Sequence, residues 1–256
     1  MLIDGKQMHI QITKGEIGRY VILPGDPGRC EKIANRFEKP RLLASNREYT
    51  LYTGMLNGVQ AGVCSTGIGG PSAAIALEEL VECGADTFIR VGTSGGMQDH
   101  VLAGDICIAT AAIRQEGTSR EYLPIEFPAA ANFDVVLALR DAAEQLGYRY
   151  HTGVIQSKDS FYGELRPHQQ AISEELLAKW KAWKAGGALT SEMEAAALFT
   201  VSAVLGVRCG AVLNVIWNAD NDAADTIAPD AAERGVITAV EALRLLIARD
   251  KGNRAI

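Results

Sequence analysis

Four short stretches carry side chains suited to holding an anion beside a polar small molecule. Pro24-Gly25-Asp26-Pro27-Gly28-Arg29 follows an apolar run. Its glycines let backbone N–H groups approach an anion closely, and Arg29 adds charge and a planar fork of donors. A plain turn capped by Asp26 would read the same way. Ser65-Thr66-Gly67-Ile68-Gly69-Gly70-Pro71-Ser72 runs into a helix, and such turns expose N–H groups at the positive helix end. It has neither the GK[ST] of a Walker loop nor the spacing of a GxGxxG dinucleotide turn. Arg90-Val91-Gly92-Thr93-Ser94-Gly95-Gly96 ends another apolar run; a charge there must face a ligand or a structural ion-pair partner. Ser191-Glu192-Met193-Glu194 sets two carboxylates at a helix start, where the helix dipole alone would also favour them.

Such loops need strands to end at them and helices to begin after them. Apolar, β-rich runs predict strands at Tyr20–Leu23, Val59–Cys64, Thr87–Val91, Asp105–Ala111, Gly153–Gln156 and Cys209–Trp217. Helices are expected at Pro71–Cys83, Asn132–Leu146, Gln170–Ala185, Glu192–Leu205 and Asp230–Ala248. In the last, Val236, Val240, Leu243 and Ile247 recur at three- and four-residue steps and form one apolar stripe. Strands alternating with helices imply an α/β chain with a mainly parallel sheet covered on both faces. Ligands of such sheets sit beyond the carboxyl ends of the strands, where the four loops lie.

The chain of 256 residues suits a single domain, 1–256, without repeat or linker. At 48% hydrophobic and 22% charged it is not a disordered chain. Its net charge of −6, without basic runs, argues against nucleic acid as a partner. The longest uncharged stretch, Tyr49–Leu77, holds six glycines and Pro71 and is not a membrane span. Five cysteines stand singly, four histidines are scattered, and no basic-then-apolar leader opens the chain. These features point to a reduced cytoplasmic protein without a transition metal.

The segment Ser65–Leu80, STGIGGPSAAIALEEL, is similar to the signature of the nucleoside phosphorylase-I family, the purine and uridine phosphorylases. GDPGR near residue 25, Arg47-Glu48-Tyr49, RVGTSGG from Arg90 and SEMEAAAL from Ser191 follow in the family's order and spacing. The resemblance runs from His9 to the last helix and is strongest to the bacterial uridine phosphorylase branch. It implies a three-layer α/β/α sandwich around a mixed, partly barrel-like central sheet, assembled as a hexamer of dimers. It implies reversible phosphorolysis in pyrimidine salvage, with a nucleoside and inorganic phosphate as co-substrates and no organic cofactor.

By that resemblance Gly25, Arg29, Arg90 and Thr93 hold phosphate, with Arg47 reaching in from a neighbouring subunit. Thr93, Met193 and Glu194 hold ribose, and His9 of the adjacent subunit meets its 5′-hydroxyl. Phe161, Glu164, Arg166, Ile216 and Trp217 surround the base, although Phe161 and Trp217 also read as core aromatics. Arg90, Glu194 and Arg166 carry the catalytic roles, and Glu48, Ile68 and Ser72 match positions that can hold potassium. Removing Arg90 is then expected to weaken phosphate binding with little loss of fold.

Two positions bear on the base. Uridine phosphorylases carry a glutamine and an arginine after the aromatic; here the run is Phe161-Tyr162-Gly163-Glu164-Leu165-Arg166, one residue shorter, with Glu164 in the glutamine's place. A carboxylate only accepts, and alone it repels the anion forming on uracil. Arg166 could donate to O4 or pair with Glu164; a protonated Glu164 would restore a donor, or the base could present donors of its own. Asn218 stands where purine phosphorylases of the family place an aspartic acid, and an amide cannot supply that acid's proton. The readings left beside uridine phosphorolysis are a nucleosidase, which needs no arginine cluster, a purine phosphorylase, which Asn218 disfavours, and a non-catalytic nucleoside-binding module.

Overall fold

The computed structural model describes residues 2–218 and 231–253. Its strands are β1 Leu2–Ile3, β2 Lys6–Gln7, β3 Tyr20–Pro24, β4 Glu38–Asn46, β5 Tyr49–Leu56, β6 Val59–Cys64, β7 Thr87–Gly96, β8 Ile106–Gln115, β9 Ala129–Ala130, β10 Tyr150–Lys158, β11 Thr190–Glu192 and β12 Arg208–Asn218. The helices are α1 Cys30–Ala34, α2 Gly70–Glu82, α3 Thr118–Tyr122, α4 Phe133–Leu146, α5 Phe161–Leu165, α6 Ser173–Ala185, α7 Ala195–Leu205 and α8 Ala231–Asn253. Asp230, the expected first residue of the last helix, lies outside the described residues.

Pairing proceeds in the order β11-β10-β8-β12-β7-β3-β6-β5-β4, and β11 also pairs with β7. That second pairing closes β11, β10, β8, β12 and β7 into a five-stranded barrel, leaving β3, β6, β5 and β4 as an open wing. The sheet is mixed: β3, β12 and β7 run parallel, whereas β8 meets β12 and β11 meets β7 in antiparallel register. The expectation of a mainly parallel sheet is corrected here. In the antiparallel ribbon β4–β5–β6, strand β4, EKPRLLASN, escaped the hydrophobic pattern because it is largely exposed at the sheet edge. Backbone pairing with β5, rather than burial, holds it.

Helices cover both faces, giving the expected three-layer α/β/α arrangement. On one face α2 packs against α7, whose Ala195–Ser202 are all buried, as expected of a helix apolar all round. On the other, α4 packs against α8. Helix α4 is capped by the Asn132 side chain, which accepts from Val135 N at 3.3 Å, and stops at Gly147 in the left-handed region. The stripe on α8 buries Val236, Val240, Leu243 and Ile247 against this face, each worth about 1.5–3 kcal/mol of apolar burial. Among the described residues no helix is long and apolar enough to cross a membrane.

The far end of α8 is tied to the sheet by charge. Arg208 Nη1 lies 3.0 Å from Asp250 Oδ1, and the Tyr20 hydroxyl donates to Asp250 Oδ2 at 2.7 Å. Arg208's hydrogen bond, aided by Tyr20, holds the Asp250 carboxyl below its ordinary value of 3.8. A lowered carboxylate value means stability present above the unfolded value and lost as pH falls through the folded one. Asp250→Asn should therefore cost about 1 kcal/mol at pH 7, since solvent screens much of the pair. The deficit relative to wild type should shrink below about pH 4, as urea unfolding measured across pH will show.

Candidate active site

Beyond the carboxyl ends of the barrel strands lies a cavity of about 780 Å³. Chain turns bring its polar wall together. Strand β3 ends at the Gly25 loop, and β6 beside it ends at the Gly67 loop. The two loops are bonded backbone to backbone, Thr66 N to Pro24 O at 2.9 Å and Gly67 N to Gly25 O at 3.0 Å. Asp26 caps its own turn by accepting from Gly28 N at 2.9 Å, which leaves Arg29 half-buried on the cavity wall.

Arg90 is the central cation. Its Nε donates to Glu192 Oε2 at 2.9 Å and its Nη2 to Glu194 Oε2. All three side chains are at most 5% exposed. A Cβ on Gly92 would stand 2.9 Å from Arg90 Nη2, so this position stays without a side chain to admit the guanidinium. Glu192 also accepts from Ser157 Oγ and from the N–H groups of Glu194 and Ala195, the latter two at 2.9–3.1 Å. It thus caps α7 while holding Arg90. Glu194 Oε1 accepts from Gly69 N at 2.6 Å, tying the glycine-rich turn to the same cluster. Burial raises the Glu194 carboxyl above the ordinary carboxylate range, against the pull of Arg90. Burial alone would weaken Arg90's hold on its proton, but Glu194 and Glu192 raise it above its usual value.

Both readings of Arg90 apply together. Two of its nitrogens are in ion pairs, while Nη1 is buried with no partner among the described residues. In a residue that lines the cavity, such a leftover donor is costly unless something accepts from it. An anion oxygen would satisfy it. The expectation that Arg90 could be removed with little loss of fold is corrected, since its removal strands two buried carboxylates.

Of the other expected site residues, Gly25, Thr93, Met193, Phe161, Glu164, Ile216, Trp217, Glu48, Ile68 and Ser72 also line the cavity. A register shift in β12 between Val215 and Trp217 lets the consecutive residues Ile216 and Trp217 both reach it. The Trp217 indole lies over Gly95, where a Cβ would come within 2.8 Å of it. Asn218 is turned elsewhere, its Nδ2 donating to Gln98 O at 2.8 Å and Val101 O at 2.9 Å.

Three expected residues are not on this wall. Arg166 is exposed, with its guanidinium 5.2 Å from the Tyr162 ring centroid. Arg47 is exposed at the β4–β5 turn with φ 53°. His9 is half-buried, and its Nδ1 lies 2.7 Å from Glu79 Oε1, while Glu79 also accepts from the N–H groups of His9 and Ile10. That clamp occupies Nδ1 and leaves Nε2 without a hydrogen-bond partner among the described residues.

Sequence reasoning missed Lys158. It lines the cavity, pairs with Glu164 and donates to Ser191 Oγ at 2.5 Å. The signal was a lone cation closing the uncharged run Val154-Ile155-Gln156-Ser157, one pleat beyond where the strand was expected to stop.

A family model described as the phosphorylase superfamily matches residues 19–249. The chain is similar to the uridine phosphorylase of Treponema pallidum, 53% identical over 246 residues, with 95% of each chain covered. It is similar to the uridine phosphorylase of Thermococcus kodakarensis at 47% identity, over 84% of this chain and 78% of that one. It is also similar to the guanosine phosphorylase of Halorubrum lacusprofundi at 40% identity, over 83% and 84% respectively.

Glu192→Ala should cost about 3–5 kcal/mol, because it leaves Arg90 half-paired in a dry site and uncaps α7. Chemical denaturation at pH 7 measures this, and a loss below about 1 kcal/mol would mean that water reaches the cluster.

Proposed function

The chain belongs to the phosphorylase superfamily, and on that premise we propose that it cleaves uridine reversibly with inorganic phosphate, giving uracil and ribose 1-phosphate. The reaction is a pentosyl transfer. The observation that carries the reading is the unpartnered Nη1 of Arg90, buried in a cavity that Arg29, Gly25 and Thr93 share. A cleft that used only water would have no need of these cations. The activity named for the Treponema and Thermococcus relatives directs the reading to uridine.

Phosphate takes the Arg90 and Arg29 guanidiniums and the Gly25 loop, in a site dry enough for charge-assisted bonds to count. Ribose lies over Met193, with its hydroxyls on Glu194, whose position Arg90 and Gly69 fix from behind. As the C1′–N1 bond breaks, its electron pair leaves with uracil and positive charge grows at C1′. A phosphate oxygen, held on the opposite side, stabilises that charge and forms the new bond to C1′. The proton released from hydrogen phosphate ends on uracil N1. No covalent intermediate on the protein is required; orientation of the two reactants supplies much of the rate.

Arg47 and His9 fit the reading as residues that serve a neighbouring subunit, in a hexamer of dimers. Both lie off the wall of their own cavity, and Glu79 holds the His9 ring fixed. Glu48, Ile68 and Ser72 would offer potassium a carboxylate, a carbonyl and a hydroxyl, an all-oxygen set suited to a hard cation. The Ser72 hydroxyl lies 3.5 Å from Ile68 O, and the Glu48 side chain lies beside Gly67 in the same turn, which supports this reading. Five unpaired, buried cysteines suit a reducing cytoplasm.

Uracil should be released from uridine with phosphate and not without it, as read by liquid chromatography of the bases. Release without phosphate would make the protein a nucleosidase, and no release would leave a binding module. On dilution, activity should fall with the loss of the assembly followed by analytical ultracentrifugation. A fully active monomer would refute the roles of Arg47 and His9.

A further inference from the structure

The end of the cavity near Phe161 carries an ion pair that phosphate and ribose do not use. Lys158 Nζ pairs with Glu164 Oε2 and donates to Ser191 Oγ, which also lies 2.5 Å from Glu164 Oε2. The two charged side chains are 9% and 7% exposed, yet both line the cavity. Gln156 backs the cluster through Ser191, and Gln115 backs Gln156. The arrangement is cross-linked by hydrogen bonds and little exposed. It nevertheless leaves two groups over: the third N–H of Lys158 and the Oε1 of Glu164 have no partner among the described residues. Neither atom is sealed off from solvent, so both stand open to the cavity that Lys158 and Glu164 line, where a ligand can meet them.

We infer that Lys158 and Glu164 read the base together, one as donor and the other as acceptor, and select bases that carry a ring N–H beside a carbonyl. This rests on the nucleoside phosphorolysis proposed above. Glu164 Oε1 accepts from the ring N–H, and the spare Lys158 N–H donates to the adjacent carbonyl oxygen. Uracil presents that pattern at N3–H and its carbonyls, and guanine and hypoxanthine present it at N1–H and O6. Cytosine and adenine present the reverse, a bare ring nitrogen beside an amino group, and would set a lone pair against the carboxylate.

The pair also removes the difficulty posed by a carboxylate at this position. Glu164 alone would repel the anion forming on the departing base, but with Lys158 bound to it the local charge is cancelled. The Lys158 N–H meets a carbonyl oxygen onto which the anion's charge spreads, so this bond strengthens as the C1′–N1 bond breaks. Lys158 thereby supplies the cation expected from Arg166, which lies on the outer surface against Tyr162.

The test compares wild type, Lys158→Met, and the double variant Lys158→Met/Glu164→Gln, which removes both charges and strands neither. Circular dichroism establishes that each is folded. In wild type, uridine should be preferred over cytidine by about 10⁴ in kcat/KM, and inosine over adenosine in the same sense. Lys158→Met should lower kcat/KM on uridine by about 100- to 1,000-fold, with most of the loss in kcat. If that variant fails to fold, the double variant gives the same reading. Its amide can rotate to match either edge, so the preference for uridine over cytidine should fall to about tenfold or less. Equilibrium binding of free uracil and free cytosine in the presence of phosphate supplies the second arm, with only uracil expected to bind wild type. The inference is overturned if cytosine binds as tightly as uracil, or if folded variants keep the wild-type preference and kcat. Failure of phosphorolysis itself would appear separately, as uridine left intact by wild type with phosphate, and base binding would still decide the edge reader.

Discussion

A guanidinium taken out of water has to be surrounded by acceptors, and Arg90 draws three parts of the chain to itself for that reason. It stands on β7, in the middle of the barrel, and its two carboxylate partners come from the segment that joins β11 to α7. Glu192 meets Arg90 with the same carboxylate that receives the first N–H groups of α7. Glu194 meets it while holding the turn ahead of α2. The pairing of β11 with β7 that closes the barrel therefore occurs where this ion cluster forms. Barrel closure, two helix starts and the glycine-rich loop are fixed by one buried charge.

The same cluster shows how a single arginine can tie the fold together and still keep a donor in reserve. Its planar fork has more donors than two carboxylates consume, so Nη1 remains without a partner among the described residues. A lysine in this place would offer one nitrogen and could not divide its donors between two walls in this way. Next along the same strands Lys158 is used differently, as a compact charge set against Glu164 and bonded to Ser191, the neighbour of Glu192. The two clusters thus combine charge in different ways. One leaves a guanidinium donor without a protein partner beside the cavity, and the other sets a cation against a carboxylate.

Much of this was legible in the residues. The loops from Gly25, Ser65, Arg90 and Ser191 were singled out by glycine, arginine and hydroxyl content at strand ends, and all four contribute to the cavity. Strand β6 has the expected bounds, and α2 and α4 lie within one residue of theirs, because strong apolar periodicity and punctuation by Pro71 and Gly147 act locally. Edge strand β4 was not legible, since its residues carry no buried face. Lys158 was missed because the expected strand ended at Gln156, two residues too soon.

The order of apolar runs, helix caps and glycine-rich turns determined by itself that this would be a layered α/β chain with its glycine-rich loops gathered at strand ends. Those are short-range properties: they follow from backbone dihedrals, side-chain periodicity and N–H groups left over at helix starts. Which charge meets which was decided only by the tertiary structure. Lys158 and Glu164 are joined by a strand end and a short helix, and Arg90 meets carboxylates a hundred residues away. Arg166, close in sequence to Glu164, lies outside. Burial strengthens every electrostatic interaction and penalises every unpaired group, and burial is a property of the whole fold that no local stretch of sequence contains.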